Sequence, residues 1–536
     1  MTYYSYYKVN MLSYARSLLM FYSLRHIAPE SKFTHALHLD LFEHLIPPSL
    51  IGEVLTETHG WEEREKALNM PMVIAIIIAM GLFASCSIPH VLHKLAQGLR
   101  YIWPDPRRHL PGASAISQRR QQLGVLPLRR LFERVCQPRA THETPGAFGL
   151  RLMAIDSTVE KVADTFANAL TFGTPSNQHG TAAYPQVRGI YLLECATHLI
   201  VDALFRPYRP HELQGAFALL RSIRPGMLVL QDRGFHAARL ILLIRAMRAH
   251  VLGRLPSHVV PRYLRQLVDG TYLAYLYAED DTGKQQGQPL LVRIIEYRIE
   301  DAQRPGHGEL HRLVTTLLNP RTVGAMDLIL CYHERWEIET AIDDIDTHQR
   351  LCDNTLRSQT PDGVEQELYG ILLGYYAVRA LMLQAAEQVG LDSDRVSFTH
   401  AITLVTDAMH EFQQTAQEQC EDLTQRLLSD LRDPLLPPRR LRSNPRVCKQ
   451  AGSKFPRTRP EHRHVPKLEH AFAEVIVLLT CSTRYPGPQP FKPFKRIQRI
   501  ILLISTVLGG CPLRSRFMSG SQNQKDYRLR NAVIQR

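Results

Sequence analysis

The chain lacks the cysteine patterns of disulfide-bonded and zinc-ribbon proteins. Its 536 residues contain nine cysteines at irregular spacing, with no Cys-x-x-Cys pair. Disulfide frameworks and zinc ribbons need paired cysteines at set spacings. The composition therefore predicts reduced thiols and a cytoplasmic protein.

A long apolar run of membrane-spanning length is also missing. The longest run, Met70 to Ala84, contains Pro71 and is shorter than the ~18–20 residues needed to cross a bilayer. Residues 1–30 are tyrosine-rich and lack the apolar segment and cleavage site of a signal peptide. We therefore expect no membrane partner, and we expect the run after Pro71 to form a buried core helix.

Acidic residues are too few to balance the basic ones. There are 51 Asp and Glu against 64 Lys and Arg, a formal net charge of +13. A basic excess favours a polyanionic partner, either nucleic acid or an acidic membrane surface. Much of it lies near the C-terminus, where residues 439–536 read as a basic, partly disordered tail, and DNA binding would place the protein on the nucleoid.

The order of helical and strand-like patterns predicts a mixed α/β protein. Apolar strands alternate with helices over residues 150–250, and helices return over 321–390. The predicted parts are an N-terminal extension (1–36), a helical N-terminal domain (37–140), an α/β core (150–250 and 321–390), an all-β insertion (251–320), a helical segment (391–438) and the tail (439–536). Within the helical domain, the polar stretch Ser117–Gln122 suits a helix against DNA and a solvated helix equally well.

Two aspartates stand where predicted strands lose their apolar character. Asp156 follows an apolar run, Leu152–Ile155, and Asp232 follows another, Met227–Gln231. Ligand-binding groups gather at strand ends in α/β sheets, although Asp is also a common turn residue. Each aspartate alone is therefore open to either interpretation.

A third carboxylate lies in a predicted helix. At about 100° per residue, Tyr332, Arg335 and Glu339 share one face, while Ile338, Ile342 and Ile345 form an apolar arc elsewhere. A solvated, charged helix would show the same pattern. Three carboxylates brought together need cations to neutralise them, and hard oxygen ligands suit Mg²⁺ or Mn²⁺.

The ordered set of motifs resembles the DDE transposases of the insertion sequence 4 family. The motifs are Ile155-Asp156-Ser-Thr158, Leu230-Gln-Asp232-Arg-Gly-Phe235 and Tyr332-x2-Arg335-x3-Glu339, and Leu39 to Ala140 resembles the family's N-terminal domain. This resemblance implies a ribonuclease-H-like mixed-sheet core with an all-β insertion, preceded by a helical N-terminal domain.

The same resemblance implies a function and a site. Asp156, Asp232 and Glu339 would be the catalytic residues and would hold two Mg²⁺ (or Mn²⁺) ions, while Tyr332 and Arg335 would contact a DNA phosphate. The protein would cut double-stranded DNA at the element's ends and join the freed 3′-hydroxyls to target DNA, with a protein dimer pairing the two ends.

The chain departs from the family pattern seven residues after the glutamate. The family has a lysine there and this chain has Asp346, which would place a negative charge beside the expected phosphate. Arg350, one turn further along, is the candidate to replace that lysine as a phosphate contact. Two alternatives therefore stay open: a catalytically impaired DNA-binding relic, and a metal-dependent nuclease without strand transfer.

Overall fold

The fold of this chain comes from a computed structural model. It describes residues 22–28, 37, 39–64, 66, 68–104, 110–141, 147–177, 180–209, 212–277, 289–303, 307–351, 355–437 and 470–479. Most of the predicted N-terminal extension and of the basic tail lies outside these residues. Residues 470–479, within the predicted tail, form a short 3₁₀ helix and a strand that joins the main sheet.

One large mixed sheet organises the chain. The strands in chain order are β1 (Arg151–Lys161), β2 (Ser176–Asn177), β3 (Gly180–Thr181), β4 (Gln186–Glu194), β5 (Leu199–Pro207), β6 (Met227–Gln231), β7 (His250–Arg254), β8 (Arg262–Gln266), β9 (Tyr272–Leu276), β10 (Leu290–Ile299), β11 (His311–Thr315) and β12 (Ile476–Leu478). Of these, β2 and β3 form a small separate hairpin, and the others belong to the large sheet. The spatial order is β5-β4-β1-β6-β7-β11-β10-β9-β8, and β12 pairs with β10.

The first five strands in this spatial order, β5, β4, β1, β6 and β7, form the α/β core. β5, β4 and β1 are antiparallel, whereas β6 and β7 run parallel to β1 and to each other. This arrangement is the ribonuclease-H-like sheet that the motifs led us to expect. Parallel strands buried on both faces require continuous apolar sequence, and all five residues of β6 are buried.

The β-rich segment extends this sheet. β11 pairs with β7, and β10, β9 and β8 follow in antiparallel order. The first strand that we expected in the insertion, near Val251, is β7 and pairs in parallel with β6. Sequence patterning alone could not show this, because a short apolar strand looks the same in either kind of pairing.

Helices cover the sheet and form the N-terminal part of the chain. They are α1 (Pro48–Glu57), α2 (Met70–Leu82), α3 (Ile88–Leu95), α4 (Ala113–Leu123), α5 (Leu126–Val135), α6 (Phe166–Phe172), α7 (Glu212–Leu219), α8 (Ala238–Ala246), α9 (Ala325–His333), α10 (Trp336–Asp343), α11 (Pro361–Glu387), α12 (Phe398–Gln414) and α13 (Cys420–Asp430). The Asn69 side chain caps α2 by accepting a hydrogen bond from the Met72 amide at 3.0 Å. Every residue of α2 except Pro71 is buried, so the expected core helix is confirmed.

The longest helix, α11, packs directly against α2. A methyl group added at Gly81 would meet the Gly370 carbonyl oxygen at 2.6 Å, so the two backbones touch at a pair of glycines. α11 is long and apolar enough to cross a membrane, but 94% of its apolar window is buried inside the protein. The N-terminal helices therefore share a continuous apolar core with the α/β part of the chain.

The polar stretch Ser117–Gln122 fits neither of its two interpretations in full. Arg119 and Arg120 are 7% and 6% exposed. Arg120 donates hydrogen bonds to the Gln366 side chain at 3.1 Å and to the Gly363 carbonyl at 2.8 Å, both on α11. Arg120 therefore attaches the N-terminal helices to the core, whereas Arg119 donates to the Leu68 carbonyl within the N-terminal helical part at 2.8 Å.

Candidate active site

The first two carboxylates lie side by side on neighbouring parallel strands. Ile155 of β1 is in register with Gln231 of β6, so Asp156 and Asp232 occupy the next position on adjacent strands, which run about 4.8 Å apart. Asp232 follows the last residue of β6, as expected. Asp156 does not end its strand, because β1 continues to Lys161, but it lies where the neighbouring strand stops and the cleft opens.

The third carboxylate reaches this position from α10. Arg335 connects the two sides, since its Nη1 lies 3.2 Å from Oδ2 of Asp156 and its Nη2 lies 2.6 Å from Oε1 of Glu339. The Arg335 side chain is 14% exposed, against 18% for that of Asp156 and 31% for that of Glu339. A single arginine therefore bridges the first and third carboxylates at the edge of the cleft.

The expected single helix through Tyr332, Arg335 and Glu339 is broken. α9 ends at His333 and α10 begins at Trp336, with Arg335 as its N-cap residue. The chain makes a tight turn at this break, because the Arg335 amide donates a hydrogen bond to the Tyr332 carbonyl at 3.2 Å. The three side chains therefore stay close to one another. On the opposite arc, Ile338 and Ile345 are buried and Ile342 is partly buried, as expected.

Tyr332 is close to the carboxylates but mostly buried. Burial raises the pKa of its phenol, and the neighbouring Arg335 and Arg254 partly offset this while Asp232 adds to it. The hydroxyl therefore stays protonated at neutral pH and can donate a hydrogen bond into the cleft.

The electrostatics of the site favour an added cation. Burial raises the pKa of Asp156 from 3.8 to about 6; Arg335 and the Ser157 amide oppose this rise, and the charges of Asp232 and Glu339 add to it. One arginine thus does not fully offset three carboxylates in a partly desolvated cleft.

The donor set fits a divalent metal on chemical grounds. Carboxylate oxygens are the ligands that Mg²⁺ and Mn²⁺ prefer. Asp232 is already oriented, because its Oδ1 accepts from the amides of Gly234 at 2.8 Å and Phe235 at 3.2 Å. Within the described part of the chain, these hydrogen bonds involve only Oδ1 and leave Oδ2 for a cation.

Asp346 and Arg350 interact with charged groups inside the protein, so neither presents a free charge to a DNA phosphate. They belong to a π-helical segment, Asp344–Gln349, and its C-cap. The Arg350 side chain is 8% exposed, is ion-paired with Glu160 of β1, and lies 3.3 Å from Oδ1 of Asp346. The expected role of Arg350 as a phosphate contact is therefore at odds with its position, because its guanidinium is engaged inside the protein.

The charge expected at Asp346 is also reduced. Burial and the adjacent Glu160 raise the pKa of Asp346 to about 8, with Arg350 and Thr158 opposing the rise. The surroundings of Asp346 thus favour the protonated form of its carboxyl. The substitution of the family lysine removes a cation from this position.

Sequence reasoning missed a fourth carboxylate, Glu212, the first residue of α7. Its Oε2 accepts from Ser157 Oγ at 2.5 Å and lies 3.4 Å from Nη1 of Arg188. Its other oxygen faces Gly234, where an added Cβ would collide with it. The hydroxyl of Ser157, the residue after Asp156, supplies this hydrogen bond.

One tyrosine of the β-rich segment, Tyr272, lies inside the protein. Tyr272 is 1% exposed and packs against Tyr263, with ring centroids 5.6 Å apart. Tyr272 is therefore a core residue.

Comparisons with known proteins agree with this geometry. A family model described as the insertion element 4 transposase N-terminal region matches residues 36–133, and a transposase DDE domain model matches residues 147–376. The second match contains Asp156, Asp232 and Glu339. Together the two matches cover more than half of the chain.

Two curated relatives also match this chain. The transposase InsG for insertion sequence element IS4 of Escherichia coli K12 is 29% identical over 416 residues, covering 77% of this chain and 92% of InsG. InsZ of the same organism is 28% identical over 210 residues, covering 38% of this chain and 67% of InsZ. A piggyBac transposase synaptic complex aligns with 75% of this chain and 86% of its own at 12% identity and a TM-score of 0.38, a likeness too distant to inform on function.

Both family models match in the expected order, and the relative InsG aligns along nearly its whole length. The chain is therefore a member of the insertion sequence 4 family of DDE transposases.

Proposed function

We propose that this transposase cleaves double-stranded DNA at the ends of its insertion sequence and joins the 3′-hydroxyls to target DNA by two-metal phosphodiester transfer. The observation that carries the proposal is the placement of Asp156 and Asp232 on adjacent parallel strands, with Glu339 linked to Asp156 through Arg335. Membership of the DDE family implies use of a divalent metal.

In this proposal Asp156, Asp232 and Glu339 hold two Mg²⁺ or Mn²⁺ ions. When bound, such ions activate a water or a 3′-hydroxyl and stabilise the leaving oxygen of an in-line attack. The Gly234 and Phe235 amides keep one oxygen of Asp232 fixed. Positioning of this kind lowers the cost of arranging the reacting groups.

Arg335 has two successive roles in this proposal. Without metal it neutralises Asp156 and Glu339. Once cations take over that task, its planar guanidinium is available to a DNA phosphate, a geometry that arginine suits well. The phenol of Tyr332 lies beside it and donates a hydrogen bond to the same phosphate.

The partner is double-stranded DNA, both the element's ends and the target, and two protein copies pair the two ends. The formal charge of +13 supports binding to a polyanion. This charge contributes to the affinity for DNA and to its salt dependence, but it does not distinguish one DNA sequence from another. Recognition of the ends must come from other contacts.

The test uses full-length protein and DNA carrying the inverted repeats that flank this reading frame. We expect Mg²⁺-dependent cleavage at the ends and joining to a target plasmid, with both activities lost in Asp156→Asn, Asp232→Asn and Glu339→Gln. Asp422→Asn changes an exposed carboxylate on α13 and serves as the matched control, with activity expected to stay unchanged.

Two outcomes separate the alternatives. Cleavage without joined products would identify a metal-dependent nuclease. DNA binding with no cleavage in Mg²⁺ or Mn²⁺ would identify a catalytically impaired DNA-binding relic. Activity that survives all three substitutions would refute the assignment of the site.

A further inference from the structure

Glu212 contacts the chain next to both of the catalytic aspartates. Its Oε2 accepts a hydrogen bond from Oγ of Ser157, which follows Asp156 on β1, at 2.5 Å. Its Oε1 lies against Gly234, two residues after Asp232, because a Cβ added to that glycine would collide with it. A single carboxylate therefore joins the strand of the first aspartate to the turn that holds the second.

The two residues that Glu212 touches are the ones whose amides orient the aspartates. The Ser157 amide donates a hydrogen bond to Oδ1 of Asp156 at 2.8 Å. The Gly234 amide donates one to Oδ1 of Asp232, also at 2.8 Å. A shift of either residue would move its amide and turn the carboxylate that the amide holds, so the position of Glu212 affects both aspartates through the backbone.

Glu212 approaches the aspartates from behind the catalytic cleft. Consecutive residues of a strand point to opposite faces of a sheet, and β1 keeps a regular register with β4 through Asp156 and Ser157. The Ser157 side chain therefore points away from the face on which Asp156 contacts Arg335. Glu212 lies on the Ser157 side, where it supports the metal-binding face without belonging to it.

Arg188 of β4 keeps the Glu212 carboxylate in place. Its Nη1 lies 3.4 Å from Oε2 of Glu212 and 3.4 Å from Oγ of Ser157, and its guanidinium lies over the Tyr208 ring, 5.7 Å from the centroid. The Glu212 and Arg188 side chains are only 24% and 18% exposed, so this pair is better shielded than the surface ion pairs that contribute little. The arginine also offsets the charge that Glu212 brings close to the acidic cleft.

We propose that Glu212 is a positioning residue that holds Asp156 and Asp232 in the geometry needed to bind metal ions. The inference rests on the proposed function, because it requires these aspartates to be metal ligands. Removal of a group that orients metal ligands typically lowers metal affinity or activity by about 10–100-fold. Because the two oxygens of Glu212 reach two different segments, the length of the side chain matters as well as its charge.

The experiment measures Mn²⁺ binding to the full-length protein by electron paramagnetic resonance. The binding that is lost in Asp156→Asn/Asp232→Asn defines the ions held by the catalytic site. We expect Glu212→Ala to weaken this binding about 10–100-fold, and Glu212→Asp to weaken it too, because the shorter side chain cannot reach both segments. Glu53→Ala should leave it unchanged; Glu53 forms a matched Glu–Arg pair with Arg134 at 2.8 Å in the N-terminal helical part.

Cleavage of end DNA provides a second readout. The Mn²⁺ concentration that gives half-maximal cleavage should rise for Glu212→Ala, while the affinity for end DNA and the Tm stay close to those of the parent. Ser157→Ala removes one of the two contacts and should cause a smaller rise. The double variant Ser157→Ala/Glu212→Ala should be no worse than Glu212→Ala, because the serine acts through the glutamate.

The outcomes separate this inference from the proposed function. Equal Mn²⁺ affinity in the parent, Glu212→Ala and Glu212→Asp would overturn the positioning role and leave the proposed function intact. Absence of both site-specific Mn²⁺ binding and cleavage in the parent would refute the proposed function and this inference with it. If Glu212→Ala does not fold, Ser157→Ala takes its place, and an unchanged Mn²⁺ affinity in that variant would overturn the inference.

Discussion

A substitution of Arg350 tests whether this residue forms a structural ion pair or contacts DNA. Its side chain is 8% exposed, as is that of its partner Glu160, and it also lies 3.3 Å from Asp346. Arg350→Met keeps much of the side-chain volume and removes the charge. It leaves Glu160 buried without its cation, a situation that typically costs about 3–5 kcal/mol.

Urea unfolding of the metal-free protein measures this cost. We expect a fall in the free energy of unfolding of about 3–5 kcal/mol for Arg350→Met and a much smaller fall for Glu160→Gln/Arg350→Met, because the double variant removes both charges. Binding of end DNA per folded molecule should change little. Unchanged stability combined with weaker DNA binding and a shallower salt dependence would refute this reasoning and restore Arg350 as a phosphate contact.

Three further predictions concern the catalytic cleft and the helix contact behind it. Because burial raises the pKa of Asp156 from 3.8 to about 6, its contribution to stability is present at low pH and is lost as pH rises through that window, by about 3 kcal/mol. Asp156→Asn should abolish this loss in chelator, as measured by urea midpoints across the window, and an equal loss in the variant would contradict the raised pKa of Asp156. Gly81→Ala should destabilise the fold by about 1–3 kcal/mol through overpacking. The control Gly52→Ala, inside α1, meets only a ring carbon of Trp61 at 3.8 Å and should not destabilise the fold; equal Tm values would rule out the close contact. Gly234→Ala should displace Glu212 and lower the cleavage rate while leaving Tm within a few degrees, and full activity would show that Glu212 has no role at the site.

Much of the fold could be predicted because its signals are local. The apolar run after Pro71 and the apolar strands before Asp156 and Asp232 need only their neighbours in sequence to be recognised. The pairing of β7 with β6 is a long-range contact, and an apolar strand of five residues carries no mark of its partner. For this reason the border between the core and the β-rich segment differed from expectation.

The catalytic residues illustrate the same division. Motif spacing identified Asp156, Asp232 and Glu339 as candidates, but the break between α9 and α10 was not predicted, because a helical wheel assumes a continuous helix. Arg350 shared a face with Glu339 on that wheel. The π-helical turn and the nearby Glu160 instead direct it into the protein.

The amino-acid sequence alone determined the family, the mixed α/β class and the identity of three carboxylates, because these depend on residue type and order. The tertiary structure decided which charges are free and which are paired. The pKa of Asp346 is raised by burial and by Glu160 of β1, and the same Glu160 forms an ion pair with Arg350 inside the protein. Likewise, the His198 imidazole meets the carboxylates of Glu337 and Asp394 only through tertiary packing, because the three residues are far apart in sequence.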